Sequence, residues 1–98
     1  MKILLVCAGG MSTSILMKKM EKYWASVSVP LEIEAVGIAD YEDICPEYEM
    51  ILVGPQVGYR IEEIKTHSGK PCAVINSTDY ALGNCANIMT LAKSLLAH

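Results

Sequence analysis

Short apolar segments that alternate with segments of helical periodicity constrain the fold of this chain most. The segments over residues 2–7 and 50–53 are apolar almost throughout, as in strands buried on both faces, whereas residues 31–36 alternate apolar and polar side chains. A fourth apolar segment covers residues 72–75. Strands that alternate with helices form a mostly parallel sheet with helices on both faces, because the crossover connections are right-handed. We therefore predict one three-layer α/β domain over residues 1–98, with a four-stranded, mainly parallel sheet.

The connections between these segments carry the pattern of amphipathic helices. Leu16, Met20 and Trp24 are apolar and lie between charged residues, which predicts a helix that begins near Ser12. Similar spacings predict a short second helix, a third helix that includes Val57 and a last helix near the C-terminus. The residues expected to mark helix ends are Asp40 and Asn84 as N-caps and Pro46 and Gly69 as stops, with an irregular stretch between residue 76 and Asn84.

Composition and charge restrict the class of partner. The 98 residues carry a formal net charge of -3, and the eight basic residues are scattered, so there is no electrostatic footprint for nucleic acid. The apolar run that follows Lys2 ends at Gly9, short of the ~7–15 residues of an export signal core. No stretch reaches the ~20 apolar residues that span a bilayer. We expect a cytoplasmic protein whose partners are proteins or small molecules.

Four cysteines raise the question of disulfides or a metal. No pair has C-x-x-C spacing, and neither His67 nor His98 has ligand spacing with a cysteine. In a reducing compartment the sequence therefore favours free thiols and no metal. Three of the cysteines are expected to be small buried hydrophobic residues, namely Cys45, Cys72 and Cys85.

Cys7 has a different setting, because it ends the first predicted strand and precedes Gly9, Gly10 and a helix rich in hydroxyl residues at its start. Backbone N–H groups of such a loop converge on one point, and the helix N-terminus adds positive potential there. The same field favours a thiolate over a thiol. The combination predicts a reactive thiolate in a phosphate cradle, suited to a covalent phosphocysteine. The alternative is a buried Cys7 with Ser12 acting only as a helix cap.

Two types of enzyme use a thiolate in such a loop. A low-molecular-weight cysteine phosphatase, or a related arsenate reductase, needs an arginine six residues after the nucleophile, and here that residue is Thr13. Arg60 is the only arginine, and Asp79 is a loose candidate for a general acid. The sequence therefore favours a phosphoryl carrier over a hydrolase. A third hypothesis is a non-catalytic interaction domain, which would lack a reactive thiol.

Three segments carry a resemblance to a known family. The sequences "CAGGMSTSIL" at 7–16, "ILVGPQVGY" at 51–59 and "KPCAVINSTDY" at 70–80 resemble the enzyme IIB component of the sugar phosphotransferase system, lactose/cellobiose (chitobiose) type. The similarity extends over nearly the whole chain and implies that residues 1–98 form one IIB domain. It also implies a phosphate loop after the first strand, similar to that of low-molecular-weight tyrosine phosphatases.

The resemblance assigns the family's phosphorylated cysteine to Cys7. It implies that Cys7 accepts phosphate from a phosphohistidine of enzyme IIA and transfers it to a β-disaccharide imported through the membrane enzyme IIC. This is the activity of a protein-phosphocysteine–sugar phosphotransferase, which acts without a cofactor and docks at the membrane through enzyme IIC. A monomer is the expected state, and the sequence does not specify the sugar. The implied phosphate-binding residues are Ala8, Gly9, Gly10, Met11, Ser12, Thr13 and Ser14.

Two further positions follow from the resemblance. Gln56 and Tyr59 are expected to contact a partner or the phosphoryl group, because the turn that follows the third strand is expected near the phosphate loop. The alternative is that Pro55 and Gln56 only begin a helix. Asn76 stands where the family has an acidic residue, so no role is assigned to that position.

Overall fold

Strands and helices alternate along the chain in the order that the sequence predicts. The computed structural model describes residues 1–8 and 12–96, except for the side chains of residues 12 and 13. The strands are β1 (Lys2–Cys7), β2 (Glu32–Gly37), β3 (Met50–Val53) and β4 (Cys72–Val74). The α-helices are α1 (Ser12–Ser26), α2 (Tyr41–Ile44), α3 (Ile61–Ser68), α4 (Ser77–Leu82) and α5 (Cys85–Leu96), with 3-10 turns at Cys45–Glu47 and Pro55–Arg60.

The sheet has the order β2-β1-β3-β4, and each neighbouring pair is parallel. This confirms the predicted four-stranded parallel α/β fold. Because β1 lies between β2 and β3, the chain leaves β1 toward one edge of the sheet and later returns toward the other. The carboxyl end of β1 is therefore the switch point at which ligands bind in open α/β sheets.

Alternate side chains of β1 contribute to two separate cores, one on each face of the sheet. Ile3 and Leu5 pack with α1 and α5 around Trp24, which is fully buried. Leu4 and Val6 face the opposite core, which contains α2 and α3. All residues of β3 are likewise buried, as their continuous apolar sequence predicts.

The predicted irregular stretch after β4 is the helix α4, so that prediction was wrong. The Asn76 side-chain oxygen accepts hydrogen bonds from the backbone N–H groups of Thr78 at 2.9 Å and Asp79 at 3.3 Å. An asparagine in this role satisfies N–H groups that would otherwise have no partner at the start of a helix. The polar residues that suggested a loop therefore form the first turn of α4, and Asn76 is the N-cap of this helix.

The other predicted helix ends give mixed results. Asn84 caps α5 as predicted, since its side-chain oxygen accepts a hydrogen bond from the Asn87 N–H at 3.2 Å. Asp40 occupies the N-cap position of α2 as predicted, but its side chain makes no capping hydrogen bond. The predicted third helix begins only at Ile61, because the segment before it forms 3-10 turns with a kink at Val57. Within the described residues, no helix combines the length and apolarity needed to cross a membrane.

Two helices end at glycines in the same left-handed conformation but in different surroundings. Gly69 ends α3 with φ 65°, and Gly83 ends α4 with φ 64°. A Cβ atom added at Gly69 would have no heavy atom within 4 Å. A Cβ atom added at Gly83 would lie 2.8 Å from Cδ and 3.0 Å from Nζ of Lys19. The Lys19 side chain therefore crosses the turn between α4 and α5, over a glycine that leaves space for it.

These surroundings predict different costs for the same substitution. Gly69→Ala should lower the free energy of unfolding by about 1 kcal/mol, the cost of a left-handed conformation for a residue with a Cβ atom. Gly83→Ala should cost slightly more, because the added methyl group also displaces the flexible end of the Lys19 side chain. Urea denaturation of both variants measures the difference. In a Lys19→Ala background the two glycine substitutions should have equal costs, and an unchanged difference would contradict the contact between Lys19 and Gly83.

Candidate functional site

Cys7 is the last residue of β1 and lies at the carboxyl edge of the sheet. The residue is 5% exposed, and its thiol donates a weak hydrogen bond to the backbone oxygen of Val36 on β2, with a sulfur–oxygen distance of 3.4 Å. Its backbone oxygen accepts a hydrogen bond from the Ile38 N–H at 2.9 Å. The next residue, Ala8, is exposed. The sulfur atom is thus fixed by β2 on one side, while the chain beyond it emerges at the surface.

The loop that follows Cys7 is described only in part. The predicted phosphate-binding residues Gly9, Gly10 and Met11 lie outside the described residues, as do the side chains of Ser12 and Thr13. Ala8 and Ser14, at the two ends of the predicted loop, are both exposed. α1 begins at Ser12, so the helix N-terminus follows closely in sequence after the end of β1. The positive end of the helix dipole therefore lies on the same edge of the sheet as the Cys7 thiol.

A neighbouring wall of the site is built around Gly54, which follows β3. The Gly54 N–H donates a hydrogen bond to the Val6 oxygen at 2.8 Å, so this residue lies directly beside the end of β1. A Cβ atom at Gly54 would be 3.2 Å from Oε1 of Gln56 and 3.7 Å from Cε2 of Tyr80. Glycine thus allows two side chains from different segments to converge beside the strand that carries Cys7.

Tyr80 is a residue of this wall to which the sequence assigned no role. It is located on α4, the helix that was predicted as irregular. Without that helix, sequence spacing alone does not indicate that Tyr80 approaches Gly54. The only signal in the sequence was its place at the end of the segment "KPCAVINSTDY", one of the three that carry the family resemblance.

The two residues predicted as partner contacts lie on the same 3-10 segment, Pro55–Arg60. Gln56 is exposed and folds back toward Gly54 beside the end of β1, whereas Tyr59 projects from the surface with 83% of its area exposed. Pro55 occupies the first position of this segment, so the helix-start alternative also describes the local structure.

Arg60 is bound to a residue of the helix that follows it, α3. Its guanidinium group donates two hydrogen bonds to the Glu63 carboxylate, from Nε to Oε2 and from Nη2 to Oε1, both at 2.7 Å. These hydrogen bonds raise the pKa of Arg60 and lower the pKa of Glu63. A bidentate pair of this kind occupies the same groups that would clamp a phosphate.

Asp79, the loose candidate for a general acid, is also engaged. Its Oδ1 atom accepts a hydrogen bond from the Asn87 amide nitrogen at 3.0 Å, which joins α4 to α5. This contact accounts for Asp79 as a structural residue between two helices. The structure therefore provides no support for its use as a proton donor to a leaving group at Cys7.

The other three thiols are buried in the cores of the protein. Burial raises the pKa values of Cys45, Cys72 and Cys85, and the Cys72 thiol donates a hydrogen bond to the Lys70 backbone oxygen at 3.1 Å. All four cysteines are free thiols. In the part of the chain that the structure describes, no cluster of three potential ligands could hold a metal ion.

These environments predict that Cys7 reacts first with a thiol reagent. The pKa values of the other three thiols are raised, so each has less thiolate near neutral pH. With iodoacetamide at pH 7.5, peptide mapping should show Cys7 alkylated faster than each of the other three cysteines. Cys7→Ser should leave only slow alkylation, while all remaining thiols should react quickly in urea. Equal rates at all four positions of the folded protein would contradict this prediction.

Comparison with known proteins agrees with this arrangement. Residues 2–90 match the family model described as "PTS system, Lactose/Cellobiose specific IIB subunit". The cellobiose-specific EIIB component from Lactococcus lactis subsp. lactis is 33% identical to this chain, covering 96% of it and 94% of the relative. A lactose-specific EIICB component from Staphylococcus aureus is 35% identical over 63 residues, which are 64% of this chain and 11% of that protein.

A solved structure extends the comparison to three dimensions. The solution structure of a cellobiose-specific phosphotransferase IIB component from Borrelia burgdorferi superposes on this chain with a TM-score of 0.80. The two sequences are 36% identical, and the match covers 97% of this chain and 90% of the other. The similarity therefore includes all four strands and the edge at which Cys7 lies.

Proposed function

Because the chain belongs to the lactose/cellobiose-specific IIB family of the sugar phosphotransferase system, we propose that it is a phosphoryl carrier with Cys7 as the covalent intermediate. The observation that carries this proposal is the position of Cys7. It ends the central strand, at the switch point of the sheet, in the connection that leads to the N-terminus of α1. Residues 1–98 then act as one IIB domain.

The proposed reaction has two transfers. In the first, the Cys7 thiolate attacks the phosphorus of a phosphohistidine on enzyme IIA, so a sulfur–phosphorus bond forms as the nitrogen–phosphorus bond breaks. In the second, a hydroxyl oxygen of the sugar attacks the phosphocysteine, loses its proton, and releases the Cys7 thiolate. Both steps need in-line positioning and charge stabilisation, which backbone N–H groups at the loop and helix start can supply. The proposal includes no cofactor.

Ionisation of Cys7 involves its contact with β2. In the structure the thiol donates to the Val36 oxygen at 3.4 Å, a bond available only to the protonated sulfur. The thiolate loses this bond and becomes an acceptor for N–H groups. We propose that those groups belong to the loop of residues 8–14, including the predicted phosphate-binding residues Ala8 to Ser14. Proton loss would thus turn the sulfur from its strand partner toward the phosphate cradle.

The geometry supports a carrier more than a phosphatase. Thr13 occupies the position where a phosphatase of this architecture needs an arginine, and Arg60 is bound bidentately to Glu63. Asp79 is bound to Asn87 and has no demonstrated path to a leaving group. A thiolate in a phosphate loop without these two groups favours transfer to a partner over hydrolysis.

The partners follow from the organisation of the system. One relative carries its IIB region within a longer lactose-specific EIICB component, which supports direct cooperation between IIB and the membrane component IIC. We propose that this chain is a cytoplasmic monomer that receives phosphate from enzyme IIA and docks on enzyme IIC at the membrane. The acceptor is proposed to be a β-disaccharide, since the relatives are named for cellobiose and lactose. The activity is that of a protein-phosphocysteine–sugar phosphotransferase.

Phosphorylation by the upstream carriers tests the proposal. After incubation with phosphoenolpyruvate, enzyme I, HPr and a cellobiose-type enzyme IIA, intact mass should increase by one phosphoryl group, and peptide mapping should place it on Cys7. The label should disappear when membranes that contain the cognate enzyme IIC and sugar are added. The Cys7→Ser variant should form no phosphocysteine. Cys85→Ser is the matched control and should be phosphorylated on Cys7 like the wild type.

Two other results would contradict the proposed carrier function. Absence of any adduct, together with steady hydrolysis of an aryl phosphate, would identify a phosphatase. Absence of both adduct and hydrolysis would identify a binding domain that has lost the chemistry.

The two predicted contact residues give a second test. Tyr59→Ala and Gln56→Ala should leave the free energy of unfolding within about 0.5 kcal/mol of the wild type, because both side chains are exposed. Each should slow phosphoryl transfer several-fold, measured as the initial rate of Cys7 phosphorylation and of its discharge to sugar. Thr66→Ala, an exposed substitution on α3, is the control. Wild-type rates in both variants would assign the segment a purely structural role.

A further inference from the structure

An exposed surface with apolar and basic side chains lies beside the proposed phosphoryl-transfer site. Tyr80 separates this surface from Gly54. Ile15 on α1 is 63% exposed, and Leu82 on α4 is 70% exposed. Between the two helices, a groove is lined by Ile15, Lys19 and Tyr80. We call this surface the α1–α4 patch and define it by Ile15, Lys19 and Leu82, the last of which lies in sequence between two residues that line the groove, Ala81 and Gly83. Tyr80 also approaches Gly54, so the patch is continuous with the wall of the site.

Lys19 is positioned within this patch. Its side chain passes over Gly83, where a Cβ atom would lie 2.8 Å from Cδ and 3.0 Å from Nζ. Its charge also reaches the turn, since it lowers the pKa of Cys85 against the larger effect of burial. Among the described residues, no carboxylate forms an ion pair with Lys19. The exposed ammonium group of Lys19 is therefore available to an anionic partner.

The charges are unevenly distributed along the chain. Lys18, Lys19 and Lys22 lie together on α1 with only Glu21 among them. Residues 23–59 contain no lysine or arginine, and residues 32–49 hold seven of the eleven acidic residues. The exposed part of α1 is therefore locally basic, which would favour the approach of an anionic partner.

We propose that the α1–α4 patch is the docking surface for the phosphohistidine-bearing enzyme IIA, an inference that rests on the proposed carrier function. The transfer brings the donor's phosphohistidine to Cys7, so the donor must cover the surface around the site. The phosphorylated donor brings negative charge, and the patch offers exposed apolar side chains around a positioned ammonium group. Its complementary surface on the donor is an acidic side chain flanked by apolar ones.

Charge is also the reason for assigning the α1–α4 patch to enzyme IIA rather than to enzyme IIC. Before transfer, α1 presents three lysines against one glutamate. Transfer breaks the nitrogen–phosphorus bond and forms the sulfur–phosphorus bond, so Cys7 then carries a phosphoryl group of about -1.5 to -2 charges in place of the single charge of its thiolate. That added charge offsets the positive potential of α1 and weakens the attraction for an acidic donor. Enzyme IIC must instead bind the phosphorylated form, in which this complementarity is reduced.

Charge reversal at Lys19 tests the proposal. Initial rates of Cys7 phosphorylation are measured against increasing concentrations of phosphorylated, cellobiose-type enzyme IIA. Lys19→Glu should raise the KM for this donor about tenfold with kcat within twofold, and added salt should reduce the difference from the wild type. Lys93→Glu, an exposed charge reversal on α5, is the matched control and should keep the wild-type KM. Leu82→Ser should raise the KM about threefold.

The outcomes separate this proposal from the proposed function. If the wild type accepts no phosphate on Cys7, both fail. If the wild type is phosphorylated and Lys19→Glu has the same KM as Lys93→Glu, the carrier function stands and the docking surface is refuted. A Lys19→Glu variant that loads normally but discharges slowly to sugar would assign the patch to enzyme IIC and overturn the choice of donor. Lys19→Gln removes the positive charge without introducing a negative one and should raise the KM less than Lys19→Glu. Circular dichroism and thermal unfolding of every variant test whether a change in KM comes from misfolding.

Discussion

The burial of β1 on both faces and along both edges is the constraint on which the rest of the structure depends. Residues Ile3 to Cys7 are almost inaccessible to solvent, and β1 pairs with β2 on one side and β3 on the other. Each face contributes to a separate apolar core. Removal of so much apolar surface from water favours one position and register for this strand. The end of β1, and therefore the thiol of Cys7, is located by the whole core rather than by the loop.

Much of the architecture could be predicted because this constraint is visible in the sequence. Continuous apolar runs identified β1 and β3, and Gly69 and Asn84 marked helix ends that the structure retains. The failures occurred where a longer-range contact decides the local structure. Gly58 packs so closely on Val74 that a Cβ atom there would lie 2.9 Å from Cγ1, and this close packing accompanies the 3-10 turns where periodicity predicted a regular helix.

The candidate site shows the same division. Cys7 and the segment of Gln56 could be identified in advance, since a strand end, a glycine pair and a recognisable family pattern are all local features. Tyr80 and Lys19 could not, because their importance depends on approaches to Gly54 and Gly83 across different elements. Such contacts arise from the packing of α4 against the rest of the molecule. Because α4 was not predicted from the sequence, the position of Tyr80 near the site could not be predicted either.

The bidentate pair of Arg60 and Glu63 has a consequence for the lifetime of a phosphorylated intermediate. In the proposed carrier, the energy of the sulfur–phosphorus bond is useful only if water does not consume it between encounters with partners. A guanidinium group at the thiol would stabilise the transition state of water attack as well as that of transfer. Because its only arginine is bound to Glu63 of α3, the proposed carrier would hydrolyse its phosphocysteine slowly, and sugar uptake would stay coupled to its phosphate source.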